Sequence, residues 1–181
     1  MSALLVVITG PPASGKTGPG RRLAGRIGAA CLSKDDLKET LYDVLGHGPE
    51  LEDALERASL ELLYRLAAVQ LDAGVPVVLE SDFNAETDQA PLRELIEGRP
   101  VRVVQVHMSG DADRLVERFV ERSESGERHP GHEDDAAAAD DLRAKLEAGH
   151  WAPLDLPGEL LEFDVAEKDE VPGEVARRLG R

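Results

Sequence analysis

Gly10-Pro11-Pro12-Ala13-Ser14-Gly15-Lys16-Thr17 sets a lysine and a hydroxyl directly after a loop framed by two glycines. The spacing is G-x-x-x-x-G-K-[ST], the Walker A pattern, and its chemistry is the capture of a triphosphate. Backbone N–H groups of such a loop wrap the β-phosphate. The helix that follows directs the positive end of its dipole at the same group. Lys16 is placed to reach the β- and γ-phosphates, and the Thr17 hydroxyl to complete a Mg²⁺ shell. The pattern implies a nucleoside triphosphate, taken as ATP with Mg²⁺. It leaves open what receives the phosphate.

Three further groups carry charge where chemistry would need it. Ser33-Lys34-Asp35-Asp36-Leu37-Lys38 follows a short apolar stretch. A kinase needs a carboxylate to orient the attacking hydroxyl and take its proton, so Asp35 or Asp36 is the candidate base. Helix capping by Ser33, Asp35 and Asp36 is the competing reading. Glu80-Ser81-Asp82-Phe83-Asn84 ends another apolar stretch. Glu80 and Asp82 share one face of a strand, and either suits Mg²⁺ held through water. Asp82 and Asn84 are alternatively candidates for contact with the acceptor, and the same residues suit a turn. Arg114, Arg118 and Arg122 recur every four residues, so they stack on one helix face. Their mutual repulsion is about 0.2–0.5 kcal/mol per pair unless an anion or Glu117 and Glu121 offset it. Arg122 and Arg128 are assigned to the triphosphate, Arg114 less so. His129 and His132 either sense substrate or hold the shape of their loop. With five His and no Cys partner for them, a zinc site is not expected.

The elements that must position these residues alternate between strand and helix. Ala3 to Thr9 is an apolar, β-branched run of the kind that forms a buried parallel strand. A helix is expected from the loop to about Ile27, stopped by Gly28. Its start should be irregular at Gly18-Pro19-Gly20, since interior Pro costs a helix about 3 kcal/mol and Gly about 1 kcal/mol. Strands are expected at 29–32, 75–79, 101–108 and 160–165. Helices are expected at 35–45, 87–97, 111–124 and 134–148, and Val171, Val175 and Leu179 line a closing one. Leu51, Leu55, Ala58, Leu62, Leu66 and Val69 recur at helical spacing up to Gly74, and this helix should wall the acceptor pocket with that stripe inward. Strands separated by helices imply a parallel sheet covered on both faces, a three-layer α/β/α fold.

Composition bounds the rest. The chain has 181 residues and 41% hydrophobic content, which fits a single domain over 1–181. The net charge of −15, with 36 acids against 21 bases, argues against holding long nucleic acid. Six aromatic residues are too few for stacking platforms. No apolar run reaches the roughly 18–20 residues that cross a membrane, and no cleavable leader is read at the start. The lone cysteine, Cys31, reads as a small core hydrophobe and fits a cytoplasmic location.

The chain resembles the P-loop kinases that include the kinase domain of phage polynucleotide kinase, chloramphenicol phosphotransferase and zeta-toxin-like kinases. Ser33-Lys34-Asp35-Asp36-Leu37-Lys38 is similar in place to their Asn-Arg-Asp-Asp-x-Arg motif. Ser125-Gly126-Glu127-Arg128-His129-Pro130-Gly131-His132 looks like the lid of uncharacterised bacterial members. The resemblance implies a five-stranded parallel sheet of nucleoside-kinase type with a helical lid over about 111–148. It also implies that Asp35 is the general base, that Lys38 grips the acceptor in place of an arginine, and that Arg118 stacks on adenine. Lys offers a point charge where Arg offers a fork, which weakens a nucleic-acid reading. The expected function is transfer of the ATP γ-phosphate to a hydroxyl of a small molecule. A polynucleotide 5′-hydroxyl kinase and an ATP-binding regulatory ATPase are the alternatives.

Overall fold

The first strand, β1 (Ala3–Thr9), is buried along all seven residues. Leu4, Val6 and Ile8 point into one apolar layer, and Ala3, Leu5 and Val7 into another. A strand covered on both faces favours apolar side chains, which is why this stretch reads as a continuous apolar run up to Thr9, whose buried hydroxyl donates to Phe83 O at 3.0 Å. The computed structural model describes residues 3–126, 128–132 and 136–180, with Ala136 described for its backbone alone.

Four more strands complete one sheet: β2 (Ala30–Ser33), β3 (Val77–Glu80), β4 (Val101–Ser109) and β5 (Glu159–Asp164). All pairings are parallel and the order is β2-β3-β1-β4-β5. Seven α-helices occur among the described residues. They are α1 (Thr17–Ile27), α2 (Lys34–Leu45), α3 (Pro49–Asp72), α4 (Gln89–Ile96), α5 (Ala112–Glu124), α6 (Ala136–Glu147) and α7 (Val171–Arg178). α1 and α7 cover one face through Leu23, Ala24, Ile27, Val171 and Val175. α3 and α4 cover the other through Leu63, Ala67, Leu71, Leu92 and Leu95. The result is the expected three-layer α/β/α fold. None of these helices is long and apolar enough to cross a membrane. The expected helical residues Asp134 and Asp135 lie outside the described residues, as does Glu127 of the lid sequence.

The sheet order reverses direction at β1, with β3 on one side and β4 on the other. Ligand crevices form at such a switch point, beyond the carboxyl ends of the strands. The Gly10–Thr17 loop leaves β1 there, and β2 and β3 deliver Ser33 and Glu80 to the same edge, paired in register.

Two expectations are corrected. α1 is helical from Thr17 onward rather than irregular, and the Gly20 N–H donates to Lys16 O at 2.9 Å. Pro19 sits in the first turn, where its missing N–H would have had no intrahelical partner. A Cβ on Gly20 would stand 3.4 Å from Ile8 and 3.9 Å from Val78, so this glycine lets the helix lie close to the sheet. On α3 the buried stripe is Leu55, Ser59, Leu63, Ala67 and Leu71. Leu62, Leu66 and Val69 are exposed at 40%, 37% and 50%. α3 is apolar around much of its circumference, so helical spacing admits two faces. The sheet takes the one where Ser59 and Ala67 are small enough for close approach.

Leu63→Ala is therefore expected to cost about 2–5 kcal/mol, the usual range for a buried leucine. Leu62→Ala should cost no more than about 0.5 kcal/mol. Urea denaturation of the two variants measures the difference, and equal losses would return the core to the Leu62 side.

Candidate active site

The loop after β1 is fixed by sterics before any ligand is considered. Gly10 has φ 144°, and a Cβ there would lie 2.1 Å from Met108 O on β4. Only glycine passes. Ala13 holds a left-handed φ of 62°, an uncommon state for a residue with a side chain. Its methyl is buried with Phe119, Leu142 and Trp151 in a small core that the lid helices α5 and α6 make with the loop.

Lys16 is buried and donates from Nζ to Gly10 O at 3.0 Å, Pro11 O at 2.8 Å and Ser14 Oγ at 3.3 Å. Burial lowers its pKa against the pull of Glu80, Asp82 and Asp35. Thr17 Oγ1 donates to Glu80 Oε2 at 3.2 Å. Burial raises the Glu80 pKa, outweighing Lys16 and the Thr17 hydroxyl. A hydroxyl and a carboxylate oxygen so close together form an all-oxygen donor pair, which suits a hard cation such as Mg²⁺.

Asp35 and Asp36 go separate ways. Asp36 takes both its oxygens to Arg21 Nη2 on α1, at 2.7 and 2.9 Å. Asp35 lines the same cleft as Lys16, Thr17 and Glu80. Its Oδ2 lies 3.4 Å from Arg128 Nη1. Ser33 stands at the N-cap of α2 without a side-chain capping bond.

Behind Asp35 runs a ladder of charges. Lys34 Nζ donates to Asp82 Oδ1 at 2.8 Å and Glu56 Oε1 at 3.0 Å. Lys38 Nζ donates to Glu56 Oε2 at 2.7 Å and Glu52 Oε1 at 2.6 Å. Tyr42 Oη donates to Glu52 Oε2 at 2.9 Å. Burial opposes the Lys34 charge, yet Asp82 and Glu56 raise its pKa well above normal. Burial likewise opposes the Asp82 charge, and Lys34 and Lys16 outweigh it, holding this carboxyl below the usual range. Trp151 Nε1 donates to Asp82 O at 3.0 Å and anchors the loop after β3.

The lid closes the other side. Arg118 Nη2 lies over the loop, 3.1 Å from where a Gly15 Cβ would be. Arg122 and Arg128 line the cleft, whereas Arg114 turns to Asp164 at 4.0 Å. Arg128 Nη2 donates to His132 Nδ1 at 3.0 Å, so the His132 Nε2–H donates to Glu39 Oε1 at 3.1 Å. Burial and Arg128 lower the His132 pKa, in keeping with a neutral ring. Gly131 N donates to His129 Nδ1 at 3.0 Å, and the ring's other nitrogen faces Asp43 Oδ1 at 3.2 Å. His129 stacks on Tyr42 with centroids 5.3 Å apart. A Cβ on Gly131 would stand 2.4 Å from the Tyr42 ring.

Lys16, Thr17, Asp35, Lys38, Glu80, Asp82, Arg122 and Arg128 thus surround one cleft of about 280 Å³. Asn84 does not join them. Its Oδ1 accepts from Glu86 N at 3.0 Å and Thr87 N at 3.2 Å, closing a turn that delays the start of α4 to Gln89. Lys38 reaches the cleft with its ammonium already held by two carboxylates. Lys34, Glu52, Glu56, Tyr42 and Trp151 had no role in the sequence reading. The signal for three of them was present: Lys34 forms a like-charged pair with Lys38 four residues on, as Glu52 does with Glu56, and each pair is unfavourable unless it faces the other.

The AAA domain family AAA_33 matches residues 5–148. The chain belongs to that family. The uncharacterized protein Rv2004c of Mycobacterium tuberculosis (strain ATCC 25618 / H37Rv) is 27% identical over 154 residues, 81% of this chain. The chain spans only 30% of that relative's length. A crystal structure of a presumed kinase from Chloroflexus aurantiacus J-10-fl is 30% identical, with a TM-score of 0.86 over 98% of both chains. An unliganded sugar kinase from Janibacter sp. HTCC2649 shares the fold at 20% identity, with a TM-score of 0.65 over 99% of this chain and 95% of its own. The architecture is that of the P-loop kinases.

Gly131→Ala is expected to undock the 128–132 segment from α2 while the sheet stays folded. A methyl forced against a packed ring costs about 1–3 kcal/mol, or roughly 10–100-fold in local opening. Amide hydrogen exchange in that segment reads it. Unchanged protection with a normal melting curve would show that Tyr42 gives way instead.

Proposed function

We propose that the protein is a kinase that moves the γ-phosphate of ATP to a hydroxyl of a small-molecule acceptor. The observation that carries this is the division of labour between two neighbouring carboxylates. Asp36 is consumed by Arg21, while Asp35 lines the same cleft as Lys16, Thr17 and Glu80 and is near enough to interact electrostatically with Lys16 and Glu80. A carboxylate opposite a triphosphate loop is the arrangement phosphoryl transfer needs, since catalysis there is positioning and charge stabilisation. The kinship with kinase structures supports the same reading.

In this reading the loop N–H groups and Lys16 hold the β- and γ-phosphates. Arg122 and Arg128 neutralise charge that develops on the transferring group, and Arg118 covers the nucleotide. Thr17 and Glu80 would hold Mg²⁺, with Asp82 as a further carboxylate of the same cleft. The chemistry a Mg²⁺ ion would supply there is the neutralisation of negative charge on the phosphates. Asp35 accepts the proton of the acceptor hydroxyl as its oxygen bonds to the γ-phosphorus. The bond from that phosphorus to the β–γ bridging oxygen breaks, and ADP leaves. Arg128 stands 3.4 Å from Asp35 and is placed to orient its carboxylate.

Lys16→Ala is expected to abolish transfer, because Lys16 is the cation buried within the turn of the loop itself, bonded to Gly10 O and Pro11 O. ATP and Mg²⁺ together should raise the stability of the wild type by about 2.7 kcal/mol at a hundred times the Kd. Thermal melting with and without EDTA reads this, and a flat response at millimolar ATP would count against nucleotide binding. Asp35→Asn should keep that shift yet lower transfer about 10²–10⁴-fold, and Asp36→Asn should lower it little. Mass spectrometry on a metabolite and antibiotic panel supplies the acceptor for the comparison. Loss of transfer in Asp36→Asn alone would move the base by one residue.

A further inference from the structure

We propose that the acceptor half of the cleft selects polyhydroxylated small molecules that carry no anionic group, either neutral or amine-bearing. The inference rests on the kinase reading and concerns the same site. The cations in this half are already committed. Lys34 is held by Asp82 and Glu56, and Lys38 by Glu56 and Glu52, at distances of 2.6–3.0 Å. Both ammonium groups are nearly sealed from water, with side chains 10% and 8% exposed. The Tyr42 hydroxyl fixes the outer carboxylate of Glu52, and the Tyr42 ring stands 5.6 Å from the Lys38 ammonium.

The ladder therefore sets three carboxylates against two ammonium groups, and Asp35 adds a fourth carboxylate with Arg128 as its partner. An acceptor bearing a carboxylate or a phosphate would meet no uncommitted lysine here. It would have to displace Glu56 or Asp82 from a buried ion pair and then sit beside the carboxylate it displaced. Both steps are unfavourable, because a buried ammonium loses a hydrogen-bonded partner and the incoming anion comes to lie beside the carboxylate it displaced. A hydroxyl has no such conflict. It donates to Asp35, Glu56 or Asp82, whose side chains are 40%, 36% and 33% exposed and retain lone pairs. An ammonium group meets the excess negative charge favourably. Among the described residues the lining of the cleft includes no Phe, Tyr or Trp; its one ring, His132, is tied to Arg128 and Glu39, and its apolar members, Pro12 and Ala13, belong to the phosphate loop. Recognition by stacking is thereby unsupported, and hydrogen bonding to hydroxyls is left as the means of recognition.

The test is binding of matched anionic probes with the phosphate loop filled. Wild-type protein is saturated with Mg²⁺ and a non-hydrolysable ATP analogue, then titrated with gluconate and with inorganic phosphate by calorimetry. The expected result is no saturable binding of either probe below about 10 mM. Glu52→Gln/Glu56→Gln releases Lys34 and Lys38 in part, and should gain at least tenfold in affinity for both probes. If that double variant does not fold, Glu52→Gln alone, which leaves Lys38 one carboxylate, carries the same expectation at smaller size. Saturable submillimolar binding of either anion by the wild type overturns the proposal. So does a folded variant with no gain, or ATP-dependent phosphorylation of a carboxylate- or phosphate-bearing acceptor by the wild type. Failure of the ATP analogue itself to bind would strike the kinase reading instead. The probes would then be titrated without it, with the Lys16→Ala variant removing the loop's own anion affinity.

Discussion

β1 yields no surface to water on either face, and this one constraint fixes where everything else can go. A strand buried from Ala3 to Thr9 cannot carry catalytic groups along its length. Charge has to gather beyond its carboxyl end, where the chain first escapes the sandwich. The exit itself is narrow, because the backbone at Gly10 passes so near Met108 O that no side chain fits. Once that turn is made, Lys16 is pinned beneath its own loop and Thr17 is delivered to Glu80. β2 and β3 end at the same edge, so Asp35 and Asp82 arrive by topology rather than by local signals.

The polar half of the molecule depends on a different principle. Two lysines are withdrawn almost completely from water, which costs several kcal/mol per ion unless each finds partners. They find them on α3 and on the loop after β3, so the charge ladder ties α2, α3 and the sheet edge into one unit. Removing a single carboxylate would leave a buried cation short of a partner, a more severe loss than the pair contributes when intact. The cleft is therefore rigid on its acceptor side. On the nucleotide side it is roofed by arginines from the lid.

Legibility in the sequence followed how local each feature is. The phosphate loop and β1 were readable because their residue types and spacing state their own geometry within a dozen positions. The alternation of strand and helix was readable for the same reason, and it was enough to give the layers. The inward face of α3 was not. Leucines on both of its sides satisfy helical spacing equally, and only the sheet decides between Leu62 and Leu63. Asn84 looked like a group facing the acceptor because it follows a strand, yet two backbone N–H groups of its own turn claim it first. Lys38 was assigned to the acceptor by position, whereas its partners come from a helix 14 residues further on. The pairing of Lys34 and Lys38 with Glu52 and Glu56 left a trace as two like-charged spacings. That trace becomes decisive only when the helices are known to be neighbours.

Trp151 is the single tryptophan of the chain. Its indole nitrogen holds the backbone of Asp82, and its ring packs on Ala13 of the phosphate loop and on Phe119 and Leu142 of the lid. One chromophore thus touches the nucleotide loop, the lid and the acceptor side at once. The protein carries a built-in optical probe where the lid helices meet the phosphate loop. A change in the packing around that ring would alter its emission, with no label added and no second tryptophan to blur the signal.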